Sequence, residues 1–350
     1  MSADVLTTPI PTSWVGPLRI TGNAVDEELQ VPLATYETPL WASVGRGARI
    51  SRMIEDGIRV SIVDERMTRS TLLVAEDAAQ ALAALRSVQS RLAELQDLVA
   101  AQSRFTRLIE MDDEIVGNLL YLRFAFTTGD ASGHNMVTQA SDALLTRILE
   151  WEPSLRYGSV SGNFCTDKKA SAVNGILGRG RHAIADILLP EQILRRFLRS
   201  SAERIADLNV RKNLVGGTIA GSLRSANAHY ANMLLGVYLA TGQDAANIVE
   251  GSQGITHAEQ RGEDLYFSCS LPNLIVGTVG NGKGLPAIEE NLERIGCRQE
   301  REPGQNARRL AAITAATVLC GELSLLAAQT NPGELMDAHN RIERQRGTKA

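Results

Sequence analysis

Residues 161–170 read SGNFCTDKKA, a run that sets Asp167, Lys168 and Lys169 side by side among small polar residues. Two adjacent ammonium groups repel each other. A chain that keeps them together on a Gly/Asn/Ser-rich loop usually has an anion for them to meet. A loop lysine beside a carboxylate can also stabilise a developing oxyanion, because a fixed charge in a dry site needs no reorganisation when that charge forms. Taken alone, the trio also suits a solvated surface, and the rest of the chain decides between these readings.

Downstream, 213–222 reads NLVGGTIAGS, 227–232 reads NAHYAN and 241–247 reads TGQDAAN. Residues 223–240 are expected to be a helix with a polar stripe, Asn227 and Asn232 on roughly one side and His229 further around. Asp244 suits a helix cap, or an acid that tunes the proton affinity of a neighbouring lysine. Residues 277–284, GTVGNGKG, nearly match a phosphate-binding P-loop, but Gly284 has no hydroxyl where that chemistry needs one. Upstream, 129–136 (GDASGHNM) joins a strand expected at 119–127 to a helix expected at 133–149. Such a turn exposes free N–H groups at a helix N-terminus, which suits a phosphate. It is not the G-x-G-x-x-G fingerprint, so a Rossmann domain is not supported. Arg104, after Ser103, could bind a second phosphate or be an ordinary surface arginine.

The 350 residues are 44% hydrophobic and 22% charged, with a net charge of -4 and 4% aromatics. That balance is globular and gives no basic, aromatic surface for nucleic acid. The four cysteines lie far apart and no histidine sits at ligand spacing from them, so no zinc site is expected. Free thiols fit a reducing, cytoplasmic setting. The first residues lack a signal-peptide pattern, and no apolar run is expected to reach the ~18 residues of a membrane span. No membrane partner is therefore expected.

Alternating runs around Gly22-Asn23 predict an N-terminal hairpin, and 57–64 and 71–75 read as separate strands. Residues 76–102 read as one long amphipathic helix, and 264–279 as two strand-like runs about Pro272. Residues 306–329 read as a long helix, almost uncharged in its middle part, that needs burial on most sides, and 334–350 as a polar tail. A strand–helix–strand–helix module over 71–157 thus looks inserted in a larger unit.

The motifs SGNFCTDKKA, NLVGGTIAGS, NAHYAN, TGQDAAN, GTVGNG and GDASGHNM together resemble the hydroxymethylglutaryl-CoA reductase family, from about Val15 to His339. The likeness is to the soluble catalytic portion of the sterol-pathway class. It implies reduction of 3-hydroxy-3-methylglutaryl-CoA to mevalonate and CoA with two NADPH, by way of mevaldehyde. The implied fold is α+β: a 1–24 N-terminal segment, a large HMG-CoA-binding domain (25–70 and 158–350) around a central helix, and an inserted ferredoxin-like NADPH-binding domain (71–157). By resemblance, Glu37, Lys168, Asp244 and His339 are catalytic, with His339 protonating the leaving thiolate. Arg69, Ser161, Asp167, Lys169, Lys212 and Asn232 hold the substrate. Asp130, Ser132, Gly133, His134, Asn135 and Met136 form the dinucleotide turn, where Ser132 and His134 replace the family's methionines. Ser103 and Arg104 match the pair at the 2′-phosphate, which favours NADPH. The resemblance also implies a homodimer or homotetramer with shared active sites, and no metal. Proximity of Glu37 and Asp244 is expected to raise the pKa of one of them. The rival from another class is a CoA- or nucleotide-binding protein of the same fold without catalysis.

Overall fold

The computed structural model describes residues 7–337 and Asn340, so His339 lies outside the described residues. Ten strands form a mixed sheet: β1 (Thr12–Gly22), β2 (Glu27–Ala34), β3 (Ile58–Val74), β4 (Arg107–Val116), β5 (Leu119–Thr127), β6 (Arg156–Ser159), β7 (Gly180–Leu189), β8 (Ser225–Ala226), β9 (Gly254–Arg261) and β10 (Asp264–Leu274). The main path runs β2-β1-β3-β7-β10-β9-β8. β1 and β2 are the expected hairpin, and β10 is one strand with a register irregularity between Leu271 and Leu274, around Pro272.

β3 runs straight through where two strands were expected, and it belongs to both halves of the molecule. Arg59 to Arg66 pair with β7, and Met67 to Val74 pair with β5. Charged residues in the middle of the strand hide its alternation: Arg66 holds Asp64 and Glu110, while Met67, Thr68 and Ser70 beside it are buried.

Two hydrophobic cores flank this strand. The smaller draws on residues 67–155 plus Ile275, and its helices are α2 (Ala78–Ser90), α3 (Leu92–Gln102) and α4 (His134–Trp151). Asp77 caps α2 by accepting from the Gln80 N–H at 2.8 Å. The single helix expected over 76–102 is broken at Arg91, where the Ser90 hydroxyl turns back to the Ser87 carbonyl at 2.7 Å. The Arg91 guanidinium then lies 4.9 Å from the centre of the Trp151 ring.

The larger core surrounds α6 (Gln305–Gln329), with α1 (Pro39–Ser51) and α5 (Tyr230–Ala240) against it. Small residues such as Ala311, Ala312, Ala315 and Ala316 let neighbours approach α6 from every side. A Cβ on Gly47 of α1 would sit 2.3 Å from the Cys320 carbonyl oxygen, so only glycine allows this crossing. Contrary to the sequence reading, α6 is long and apolar enough to cross a membrane, but 94% of its apolar window is buried inside the protein. It is a core helix.

The helix expected over 223–240 begins only at Tyr230. Ser225 and Ala226 instead pair with β9, and the Asn227 amide donates to the Ser252 and Gly254 carbonyls, each at 3.1 Å. Tertiary hydrogen bonds override a helical pattern here, so Asn227 lies outside the helix and does not share a helical side with Asn232.

Candidate active site

Lys168 occupies a loop whose backbone is unusual for its residues. Asn163, Thr166 and Lys168 have φ of 65°, 44° and 57°, in the left-handed region. Such conformations cost roughly 1–3 kcal/mol each outside glycine and persist where surroundings impose them. Here the surroundings are buried polar groups. The Lys168 N–H donates to Glu250 Oε1 at 3.1 Å, the Asn174 amide to the Thr166 carbonyl at 3.0 Å, and the Ser171 N–H to Gln253 Oε1 at 3.3 Å. Fully buried Arg179 lies between Asp167 and Glu250, 2.9 Å from each carboxylate.

The Lys168 ammonium stands 2.6 Å from Asp244 Oδ2. That hydrogen bond raises the lysine's pKa. Burial pushes Asp244 up, but the Lys168 ammonium overrides it and holds the carboxyl below its ordinary value. Asp244 also accepts from the Ala246 N–H at 3.1 Å, so it caps a short turn as well as pairing. Both side chains open on a cavity of about 550 Å³, whose walls include Arg69, Asp167, Ser132, Gly133, His134, Asn135 and Met136. The structure thus brings the DKK loop, the GQD turn and the GDASGHNM turn to one space.

The 129–136 segment makes the strand-to-helix turn its sequence suggests. Gly133, at φ 94°, precedes α4 and exposes the N-terminal N–H groups of that helix. Asp130 points away and accepts from the Ala307 N–H at 2.8 Å, tying the turn to the start of α6. Burial, reinforced by Arg179 and opposed by Asp167, lowers His134 to about 4. Its ring is therefore neutral near neutral pH, with Nε2 at 3.7 Å from Asp167.

The GTVGNGKG segment is no P-loop. It packs on this turn, with the Thr278 N–H donating to the Asp130 carbonyl at 2.8 Å. Lys283 is buried and spends its ammonium on the Gly242 carbonyl at 2.5 Å.

Arg69 donates to Ser161 at 3.3 Å and to Thr138 at 2.5 Å, and exposed Lys169 donates to the Asp167 carbonyl at 3.2 Å. Ser103 and Arg104 part company. The Ser103 hydroxyl accepts from the Phe105 and Thr106 N–H groups, at 3.2 and 3.1 Å, beside Met136 in a small cleft. Arg104 faces a separate cavity of about 300 Å³ with Phe105, Arg107, Gly129 and Ser132. Ser132 lines both this cavity and the Lys168 cavity.

Glu37 lies elsewhere. It accepts from the Asn232 amide at 3.1 Å and opens on an apolar cavity of about 390 Å³ with Arg46, His229 and Leu335. Asp244 is not among that cavity's walls, so the expected Glu37–Asp244 contact is absent within the described residues of one chain. Asp244 is lowered by Lys168, not raised by Glu37. Beneath this second half, fully buried Glu322 accepts from the Ala228 and His229 N–H groups, at 2.5 and 3.1 Å. Lys212 belongs on this side: burial lowers its pKa and Glu322 opposes that. Arg179, Glu250 and Glu322 had no local sequence signal. Glu250 and Glu322 are single charges in apolar or Gly-rich runs, Arg179 sits beside Arg181 in a Gly-rich turn, and tertiary partners give each its role.

The family described as hydroxymethylglutaryl-coenzyme A reductase matches residues 5–344. The chain is 42% identical over 337 residues to the 3-hydroxy-3-methylglutaryl-coenzyme A reductase of Aeropyrum pernix, covering 96% of this chain and 79% of that protein. It is 46% identical over 323 residues to the enzyme of the same name from Pyrococcus abyssi, covering 91% and 78%. A solved class II enzyme from Streptococcus pneumoniae, described as bound to NADPH, shares the mixed α/β fold at a TM-score of 0.74 and 21% identity, covering 95% of this chain and 88% of that one. With nearly its whole length matched, the chain belongs to the hydroxymethylglutaryl-coenzyme A reductase family.

Proposed function

We propose that the chain reduces 3-hydroxy-3-methylglutaryl-CoA to mevalonate and CoA with two NADPH, through mevaldehyde, in sites shared between two copies. The observation that carries this reading is the Lys168–Asp244 pair, 2.6 Å apart, opening on the same cavity as the Gly133 helix start. A bound dinucleotide supplies the hydride. Lys168 stabilises the oxyanion formed when the thioester carbonyl, and then the aldehyde, is attacked. Asp244 keeps that lysine charged and aimed. Glu37, oriented by Asn232, is the proton donor, and His339 takes the family role of protonating the departing thiolate. Arg69, Ser161, Asp167, Lys169 and Lys212 hold the hydroxymethylglutaryl group. The α4 N-terminus suits the pyrophosphate. Arg104 and Arg107, which have no carboxylate partner among the described residues, suit a 2′-phosphate and favour NADPH.

Residues 71–157 serve as the ferredoxin-like cofactor domain, and the parts around α6 as the substrate domain. Glu37, Asn232 and Lys212 form one half of the site, and Lys168, Asp244 and Arg69 the other. A second copy of the chain completes it. Exposed Val215 and Ile219, at 54% and 83%, flank Lys212 as the apolar surface such a copy covers. Four buried free thiols fit a cytoplasmic location. The test is NADPH consumption on adding HMG-CoA, with mevalonate identified as product. Cofactor binding without turnover would favour the non-catalytic reading.

A further inference from the structure

We propose that Arg179 and Glu250 are positioning residues for Lys168. They hold the DKK loop in its left-handed conformation and so set where the ammonium sits. The inference rests on the reading of Lys168 as the oxyanion partner.

Both side chains are fully buried, and neither is among the residues lining the Lys168 cavity, so a direct role in substrate or cofactor binding is not indicated. Glu250 Oε1 has three partners: the Lys168 N–H at 3.1 Å, the Arg179 guanidinium at 2.9 Å and the Asn247 amide at 2.9 Å. Arg179 reaches Asp167, the residue before Lys168, at 2.9 Å. One ion-paired unit therefore grips two consecutive residues of the loop, one by its backbone and one by its side chain. Burial raises the Glu250 pKa and Arg179 opposes it, so the carboxylate depends on the arginine to stay ionised. A loop with φ of 44° at a β-branched residue, Thr166, and 57° at Lys168 would relax without such a grip. Relaxation would carry the ammonium off its line to the carbonyl, and misplacement of about 1 Å can cost 10²-fold in rate.

The experiment compares Arg179→Ala, the near-isosteric Glu250→Gln and Lys168→Ala in the full chain. Turnover is expressed per site competent to bind NADPH. Arg179→Ala is expected to lose roughly 10²-fold in kcat and Glu250→Gln about 10-fold, with KM for NADPH within about 2-fold of wild type. Millimolar guanidinium should restore part of the Arg179→Ala turnover, which general damage to the fold would not allow. If Arg179→Ala does not fold, Glu250→Gln decides. Wild-type kcat per competent site in Glu250→Gln overturns the proposal while leaving the oxyanion reading intact, provided Lys168→Ala is inactive. If Lys168→Ala itself turns over normally, the oxyanion reading falls and takes this proposal with it.

Discussion

Lys168 stands on an irregular loop above an Arg179–Glu250 ion pair, whereas Glu37 and Asn232 stand at the starts of α1 and α5 above a carboxylate, Glu322, that caps peptide N–H groups. Each half of the site thus rests on a fully buried acid, and the two acids work differently. Glu250 binds a loop through charge. Glu322 replaces the missing hydrogen-bond acceptors at a helix start, as a capping side chain does, but from a distant part of the chain. The lesson is that the exposed Lys168–Asp244 pair should matter for function and little for stability, and the buried Glu322 cap the reverse.

The largest test of that contrast is Lys168→Ala. Turnover should fall by about 10²–10³-fold, the usual range for losing an oxyanion donor. Stability should change by less than about 1 kcal/mol, because the Lys168 and Asp244 side chains are 40% and 45% exposed and such pairs contribute little. Steady-state kinetics and denaturant melts on one preparation check both. A large loss of stability would place the loop in the structural class instead.

Glu322→Leu should act in the opposite sense. It strands the Ala228 and His229 N–H groups and the Thr256 hydroxyl, which donates to Glu322 at 2.9 Å. A cost of at least about 3 kcal/mol is expected, since each of the three unsatisfied donors costs about 1–3 kcal/mol. Unfolding that matches wild type would show that the cap is dispensable.

These roles were unequally legible in the sequence. The Asp167–Lys168 pair, the Gly133 turn, β5 and α6 could be read locally, because turn glycines, alternation and long apolar runs carry their own signals. The long β3 could not, since Arg66 and Arg69 interrupt its pattern for the sake of partners outside the strand. The start of α5 could not either, because Glu322, far along the chain, accepts from the residues just before it. Glu37 and Asp244 were both picked out, but nothing local told that they face different cavities.

His134 makes the stability of the Lys168 half depend on pH. Its folded pKa of about 4 lies below the ordinary 6.5 because burial disfavours the imidazolium. The unfolded chain therefore binds a proton that the native chain does not, and stability is lost as pH falls from about 6.5 towards 4. His134→Met should remove about 3 kcal/mol of the stability difference between pH 7 and pH 4. Urea midpoints of both proteins across that range check it, and parallel curves would contradict the burial argument.

The smallest expected effect is on cofactor choice. Arg104→Ala should raise KM for NADPH by about 10-fold and leave NADH nearly unchanged, as for a lost charge-assisted hydrogen bond of about 1.5 kcal/mol. Equal changes for the two cofactors would assign Arg104 to its contact with Phe105 alone.

β3 has a mechanical consequence. Because its 17 residues serve as the shared spine of both cores, position 70/71 lies inside an unbroken, paired strand and is poorly placed to be a hinge. Neither half can be cut out there without taking part of this strand from the other.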